Sequence, residues 1–329
     1  MKITFYVNAY YKELKFLELK FLECTFKHAP GKEPHFMHRF LRAIGFSNIK
    51  SRQELEPILG KIMNEPDKKK KIQVSPNCLY TEFAMEFGSQ IGITLRGEYD
   101  EKGFFYMEHY FPYCESRLIT SSEDITVNKR VDTNAFTGMC DDLRLGISMI
   151  FYLQNAVEYL ELHSEDNLPH KAKLTLSGLA LTGMVLLGVY HDTYTQKQHN
   201  LRYQRRNRLI AKAKNGDQNA IDDLTLEDID ISAKIHNRIR KEDLYSLVET
   251  SFIPYGSESD HYSILGTIVN WSVVTNTYTN EEVCQMLLNC NDILITICIN
   301  KLDLFGEPMI GRRFKGIIWM QGHADFQKI

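Results

Sequence analysis

The strongest constraint on the fold is a pair of β-compatible runs, QIGITLRGEY and GFFYMEHYF, on either side of Asp100-Glu101-Lys102-Gly103. Short strand-like runs joined by a few polar, Gly-containing residues make a hairpin. SEDITVNKR predicts a third strand, and HYSILGTIVNW, DILITICIN and KGIIWMQG read as strands in the second half. Hairpin-joined strands pair antiparallel, whereas a parallel sheet needs long crossovers. The expected fold is therefore α+β, mainly antiparallel sheets with packed helices. Two lobes, 37–165 and 170–329, are expected to meet near 163–172, where Pro169 lies in the polar stretch HSEDNLPHK.

Helical patterning fills the rest. HRFLRAIGF gives a short apolar-striped helix stopped by Gly45, a residue type that readily ends helices. Ser51-Arg52-Gln53-Glu54 is a capping box, and Leu55, Ile58, Leu59, Ile62 and Met63 follow on one helical face. Lys68 to Lys71 reads as a solvated loop. Leu143, Ile147, Ile150, Phe151, Val157 and Leu160 predict one long helix over 140–162, and EEVCQMLL predicts another. Helices are also expected over 191–214, over DQNAIDDL, and from Thr225 towards Val248, with Asn215-Gly216 stopping the first. The 17 uncharged residues Leu174 to Tyr190 are barely long enough to span a membrane. They read instead as a hairpin, LTLSGLAL and MVLLGVY about Thr182-Gly183.

Residues 1–36 carry aromatic, Leu and charged residues with no clean period of 2.0 or 3.6. They are expected to be a non-native or disordered extension, with translation starting at Met37. Gly31-Lys32-Glu33 can be encoded GGA-AAG-GAG, a ribosome-binding sequence at a suitable distance before Met37.

Composition excludes several classes. Of 329 residues, 43% are apolar and 25% charged, enough to bury a core without staples. With 39 basic against 42 acidic residues there is no overall basic excess of the kind a dedicated nucleic-acid binder carries. The seven cysteines show no C-x-x-C spacing and read as reduced, mostly buried thiols in a cytoplasmic protein. The N-terminus lacks the uninterrupted apolar stretch of a signal peptide. No Walker A loop, G-x-S-x-G elbow, H-E-x-x-H or G-x-G-x-x-G occurs, so neither cofactor nor metal is expected and catalytic residues are not identified.

Four constellations remain. The 191–214 helix carries Lys197, Arg202, Arg205, Arg206, Arg208, Lys212 and Lys214, cations that suit phosphates or an acidic partner. Asp217, Asp222, Asp223, Glu227, Asp228 and Asp230 follow directly, and pairing between the two blocks is the plainer account. Gly311, Arg312, Arg313 and Lys315 form a Gly-flanked cationic loop that suits an anion, although a plain basic connection is sufficient. Glu258, Asp260, His261, His323 and Asp325 are scattered acids and histidines whose spacing requires no metal. Asp141-Asp142 is read as the negative cap of the 140–162 helix.

Several long strings carry a resemblance: MHRFLRAIGFSNIKSRQELE, GITLRGEYDEKG, CDDLRLGISMIFYLQN, EDLYSLVETSFIPYGSESDHYSILG, CNDILITICINKLDLFGEP and IGRRFKGIIWMQG. Over about residues 37–327 the chain resembles the clostridial-type bacterial family catalogued as domain of unknown function 3881. The resemblance implies a cytosolic bacterial protein and carries over no activity, cofactor or site residue. The expected function is a non-enzymatic interaction or regulatory protein, acting with a protein partner or as a homo-oligomer and without a membrane. One alternative is nucleic-acid binding through the 191–214 helix. The other is an enzyme acting on an anionic small molecule near Gly311–Gly316.

Overall fold

The structure is a computed structural model describing residues 37–326 apart from 76–77, 102, 131–134, 143, 146, 163–169, 189–192 and 240–247. Residues 1–36, expected to be an extension, therefore lie outside the described residues. A 3-10 turn at Arg39–Ile44 ends on Gly45 with φ 88°, as the sequence predicts. Helix α1 (Arg52–Asn64) begins at the expected capping box and buries Leu55, Ile58, Leu59 and Ile62.

Next comes a four-stranded antiparallel meander of β1 (Lys68–Ser75), β2 (Cys78–Gly88), β3 (Ile91–Tyr99) and β4 (Phe105–Cys114). The β3–β4 hairpin is the expected one. The lysine run is not a loop but the edge strand β1, where charge blocks further pairing. Lys69 Nζ lies 4.6 Å from the Phe83 ring centroid, and Lys71 Nζ 5.4 Å from that of Tyr99.

A ten-stranded sheet takes the rest: β5 (Asp124–Lys129), β6 (Phe136–Asp142), β7 (Ile147–Leu153), β8 (His170–Leu186), β9 (Ser251–Pro254), β10 (His261–Thr275), β11 (Glu282–Cys290), β12 (Ile293–Asn300), β13 (Leu304–Phe305) and β14 (Arg313–Phe326). SEDITVNKR is thus a strand of this sheet, not of the meander. Its strands come from both sides of 163–169. Most pairings are antiparallel; β12–β8, β13–β8 and β14–β7 are parallel.

The long β8–β14 ladder organises this sheet. From it one path of pairings runs β14–β10–β11–β12–β8, and another runs β14–β7–β6–β5–β8. Each path closes on itself, so two five-stranded rings share one ladder. Phe151, Leu174, Leu176, Met286, Ile295, Phe314 and Ile318 belong to the continuous core of this region. A second core joins the meander, α1 and the 3-10 turn to the outside of the rings through Leu179, Val283, Cys298 and Trp319.

Three expected elements are overturned, and each has a local cause. The 140–162 helix is replaced by β6, β7 and a short helix α2 (Ala156–Leu162). Met149, Phe151 and Leu153 alternate into the core, so the decisive period is two. The 174–190 hairpin is one uninterrupted strand, β8. Gly183 makes no turn; a Cβ there would lie 2.3 Å from the Phe314 ring, so the glycine admits the aromatic. EEVCQMLL is strand β11, covered on both faces, which erases the alternation that marks a strand.

Strand outweighs helix, so the fold is more sheet-rich than a balanced α+β protein. The two long helices are α3 (Thr193–Lys214) and α4 (Gln218–Ile239), the latter one helix where two were expected. Among the described residues, no helix is long and apolar enough to cross a membrane.

The cysteine expectation is also corrected. Cys140, Cys284 and Cys290 are free and buried, but Cys114 on β4 and Cys298 on β12 are joined as a disulfide. Their separation of 184 residues left no sequence signal.

Candidate functional site

A cleft of about 860 Å³ opens on the seam between the meander and the ten-stranded sheet. Its wall includes His38 and, from the 3-10 turn that follows it, Arg39 and Phe40, together with His109 to Phe111 of β4, Tyr152 of β7, and Asp260, His261 and Trp319. The 3-10 turn is fixed from below. Arg42 donates to both Asp303 oxygens at 2.6 and 2.7 Å, and Asn276 Nδ2 donates to the Ile44 carbonyl at 2.8 Å.

Adjacent strands supply the floor. His261 on β10 is the register partner of Trp319 on β14. Alternation along β14 turns Ile318 and Met320 into the ring core and leaves Trp319 facing the seam. Phe40 stacks on Trp319 with ring centroids 5.4 Å apart, and His38 lies against the same indole at 4.8 Å. The result is an aromatic wall of His38, Phe40 and Trp319.

Asp260 is the electrostatic centre. Its side chain is almost wholly buried, and its carboxylate accepts from Arg130 Nη2 at 2.5 Å, Trp319 Nε1 at 3.0 Å and His261 Nδ1 at 3.1 Å. Burial alone opposes charge on this group. The hydrogen bond from His261, the charge of Arg130 and the Trp319 indole outweigh it and hold the carboxyl below the ordinary carboxylate range. Arg39 reaches the other side of the imidazole, with Nη2 2.6 Å from His261 Nε2.

A second polar chain enters from the core. Arg96 on β3 is fully buried and donates to Glu82 at 2.7 Å, to the Tyr152 hydroxyl at 3.1 Å and to the Gln154 carbonyl at 2.5 Å. Tyr152 lies 3.0 Å from His109 Nε2 at the cleft wall. Burial pushes the Tyr152 phenol up to about 12, with Arg96 pulling the other way. This hydroxyl is therefore neutral at physiological pH.

His38 carries a testable consequence. Its Nδ1 is buried without a hydrogen-bond partner among the described residues. Burial, aided by the charge of Arg39, lowers its pKa to about 4 from 6.5. Between those values the unfolded chain holds a proton that the folded chain lacks, so stability is lost as pH falls through this window. Replacing His38 with phenylalanine is expected to flatten the decline in unfolding free energy between pH 6.5 and 4, as measured by urea melts at each pH. An unchanged slope would show that the ring is not held neutral.

The sequence-derived candidates are distributed as follows. Glu258, Asp260 and His261 come together in the cleft, while His323 lies 3.8 Å from Glu158 and away from it. Among the described residues no group of three or more His, Cys, Asp or Glu could hold a metal ion. Asp142 caps no helix; it lies at the end of β6 and pairs with Arg144 at 2.6 Å.

None of Gly311, Arg312, Arg313 and Lys315 lines the cleft. Arg313 is buried and donates to the Leu187 and Val248 carbonyls at 2.9 and 2.8 Å, while Arg312 donates to the Glu307 carbonyl at 2.9 Å. On α3, Arg205 and Arg206 lie 3.5 and 3.9 Å from Glu227 of α4, and Lys214 pairs with Glu123. Arg208 and Lys212 also lie on α3, where Lys212 is exposed; the Arg202 side chain lies outside the described part.

Sequence reasoning missed His38, Arg39, His109, Arg130, Tyr152 and Trp319. They lie on five separate segments that only the fold brings together; the polar run YGSESDHY, which leads into β10, signalled Asp260 and His261 but none of these six.

The family model described as "Domain of unknown function, E. rectale Gene description (DUF3881)" matches residues 41–322. The chain belongs to this family. The match takes in the cleft residues Tyr152, Asp260, His261 and Trp319 as well as both rings up to β14. No curated protein and no solved structure matches the chain.

Proposed function

We propose that the protein binds a small, flat molecule carrying an anionic group in the cleft beside Trp319. One observation carries the reading: an aromatic wall and two guanidinium groups, Arg39 and Arg130, converge on one concavity. Its volume lies in the range of small-molecule sites, which are mostly apolar with a few placed polar groups. Arg130 is engaged by Asp260, whereas the hydrogen bond of Arg39 goes to an imidazole and leaves its charge available to an incoming anion.

The chain has two tryptophans, Trp271 and Trp319. In a Trp271→Phe variant, which alters an exposed position, the one remaining indole N–H resonance reports on the cleft. Titration with benzoate, phenyl phosphate and indole-3-carboxylate is expected to move that resonance saturably for at least one of them. If none moves it at millimolar concentration, the ligand reading fails.

The second reading, a non-enzymatic interaction or regulatory protein, then takes precedence. It is favoured by exposed Leu187, Phe305, Met309 and Ile310, where β13 and the loop after it run near the end of β8. We also read the meander with its helices as one lobe and the rings as another, with the cleft on their seam. A cytosolic bacterial setting is supported by the family resemblance and by the free buried thiols, while the Cys114–Cys298 bond weighs the other way.

A further inference from the structure

The contacts of His261 fix its tautomer. A guanidinium has donors and no acceptor, so at 2.6 Å from Arg39 the imidazole Nε2 must accept. The ring proton then lies on Nδ1, where Asp260 Oδ1 receives it at 3.1 Å. A carboxylate holding Nδ1–H orients an imidazole and stabilises the imidazolium formed when Nε2 gains a proton. Asp260 is suited to this by its immobility, because Arg130 and Trp319 hold its second oxygen. Arg39 is the opposite: its residue is exposed, and it covers Nε2 from a flexible stem.

We infer that His261 is the proton acceptor of the cleft and that Arg39 is its latch, released when an anionic group of the bound molecule takes the guanidinium. The inference rests on the ligand reading above and adds an activity to it. On release, a C–H or O–H bond of the bound molecule breaks and its proton forms the Nε2–H bond. The electron pair stays on the molecule, and the imidazolium is paired with Asp260. No oxidant, reductant or cofactor is needed. The substrate class is a flat anionic molecule with an acidic hydrogen, and the reaction class is proton abstraction.

The test uses the full chain and 5-nitrobenzisoxazole, a flat aromatic. Loss of its C3 proton to a base breaks the ring N–O bond and gives coloured 2-cyano-4-nitrophenolate. Arg39→Ala removes the latch, and turnover is expected to exceed that of Arg39→Ala/His261→Ala by about a hundredfold. Equal rates in these two variants would overturn the role of His261. The wild type is expected near the double variant, and a wild type as fast as Arg39→Ala would overturn the latch.

The anion is tested separately with benzoate. Long-range ¹H–¹⁵N spectra should move His261 Nε2 towards its position in ligand-free Arg39→Ala. If benzoate moves the Trp319 indole but not His261 Nε2, the latch is wrong and the ligand reading stands. If it moves neither, while other aryl anions also leave Trp319 still, both fall together.

Discussion

Replacing Arg96 with methionine is expected to destabilise the protein by about 3–5 kcal/mol, because removing one partner of a buried ion pair strands the other. Arg96 has no exposed surface, and its donors tie Glu82 on β2 to Tyr152 and to the Leu153 and Gln154 carbonyls of the β7 end. The Phe111 ring lies 4.6 Å from its guanidinium carbon. One side chain thus fastens the meander to the rings. The midpoint of thermal unfolding is expected to fall by roughly 10 °C. Removing the charge from both partners, as in Arg96→Met/Glu82→Met, should recover part of the loss, since an apolar pair leaves no carboxylate buried alone. A double variant less stable than the single one would mean that the carbonyl contacts, not the ion pair, dominate. Because Tyr152 also touches His109, the single variant should shift the His109 ring resonances as well.

The second large effect is centred on Phe151. A Cβ at Gly138 on β6 would lie 2.3 Å from this ring, and a Cβ at Gly322 on β14 would lie 2.4 Å from it. The phenylalanine therefore lies over two glycines on the strands flanking its own. Phe151→Ala is expected to cost about 3–5 kcal/mol through the cavity left behind. Gly322→Ala should cost about 1–3 kcal/mol by driving the ring from its place. The combination Gly322→Ala/Phe151→Leu should be less damaging than the two single changes summed, because the smaller side chain leaves room for the methyl group. Urea melts of the four proteins measure this coupling, and strict additivity would show that the ring and the glycine do not share the space.

These sites also show what the residues disclosed before folding and what they withheld. The β3–β4 hairpin, the Ser51 capping box and the Gly45 stop were legible because each depends on neighbours a few positions apart. Gly183 was misleading, because its function is to admit the Phe314 ring from another strand. It looked instead like a turn. The spacing of Ile147, Ile150 and Phe151 fits a helix as well as a strand, and burial of Met149, Phe151 and Leu153 decides between them. Asp260 and His261 were visible as an acid and a histidine side by side. Their meaning was not, since it comes from Arg39, some 220 positions away, and from Arg130 and Trp319.

The shared ladder sets an order for synthesis. Both closed paths end on β14, whose first residue is Arg313. Neither ring can shut while the ribosome is still short of that point, however early β5, β6 and β7 are made. During that wait the β8 edge that later receives β14 is bare, along with its later partners on β7 and β10. Bare edges invite pairing with other chains. Arrival of β14 then covers them all at once.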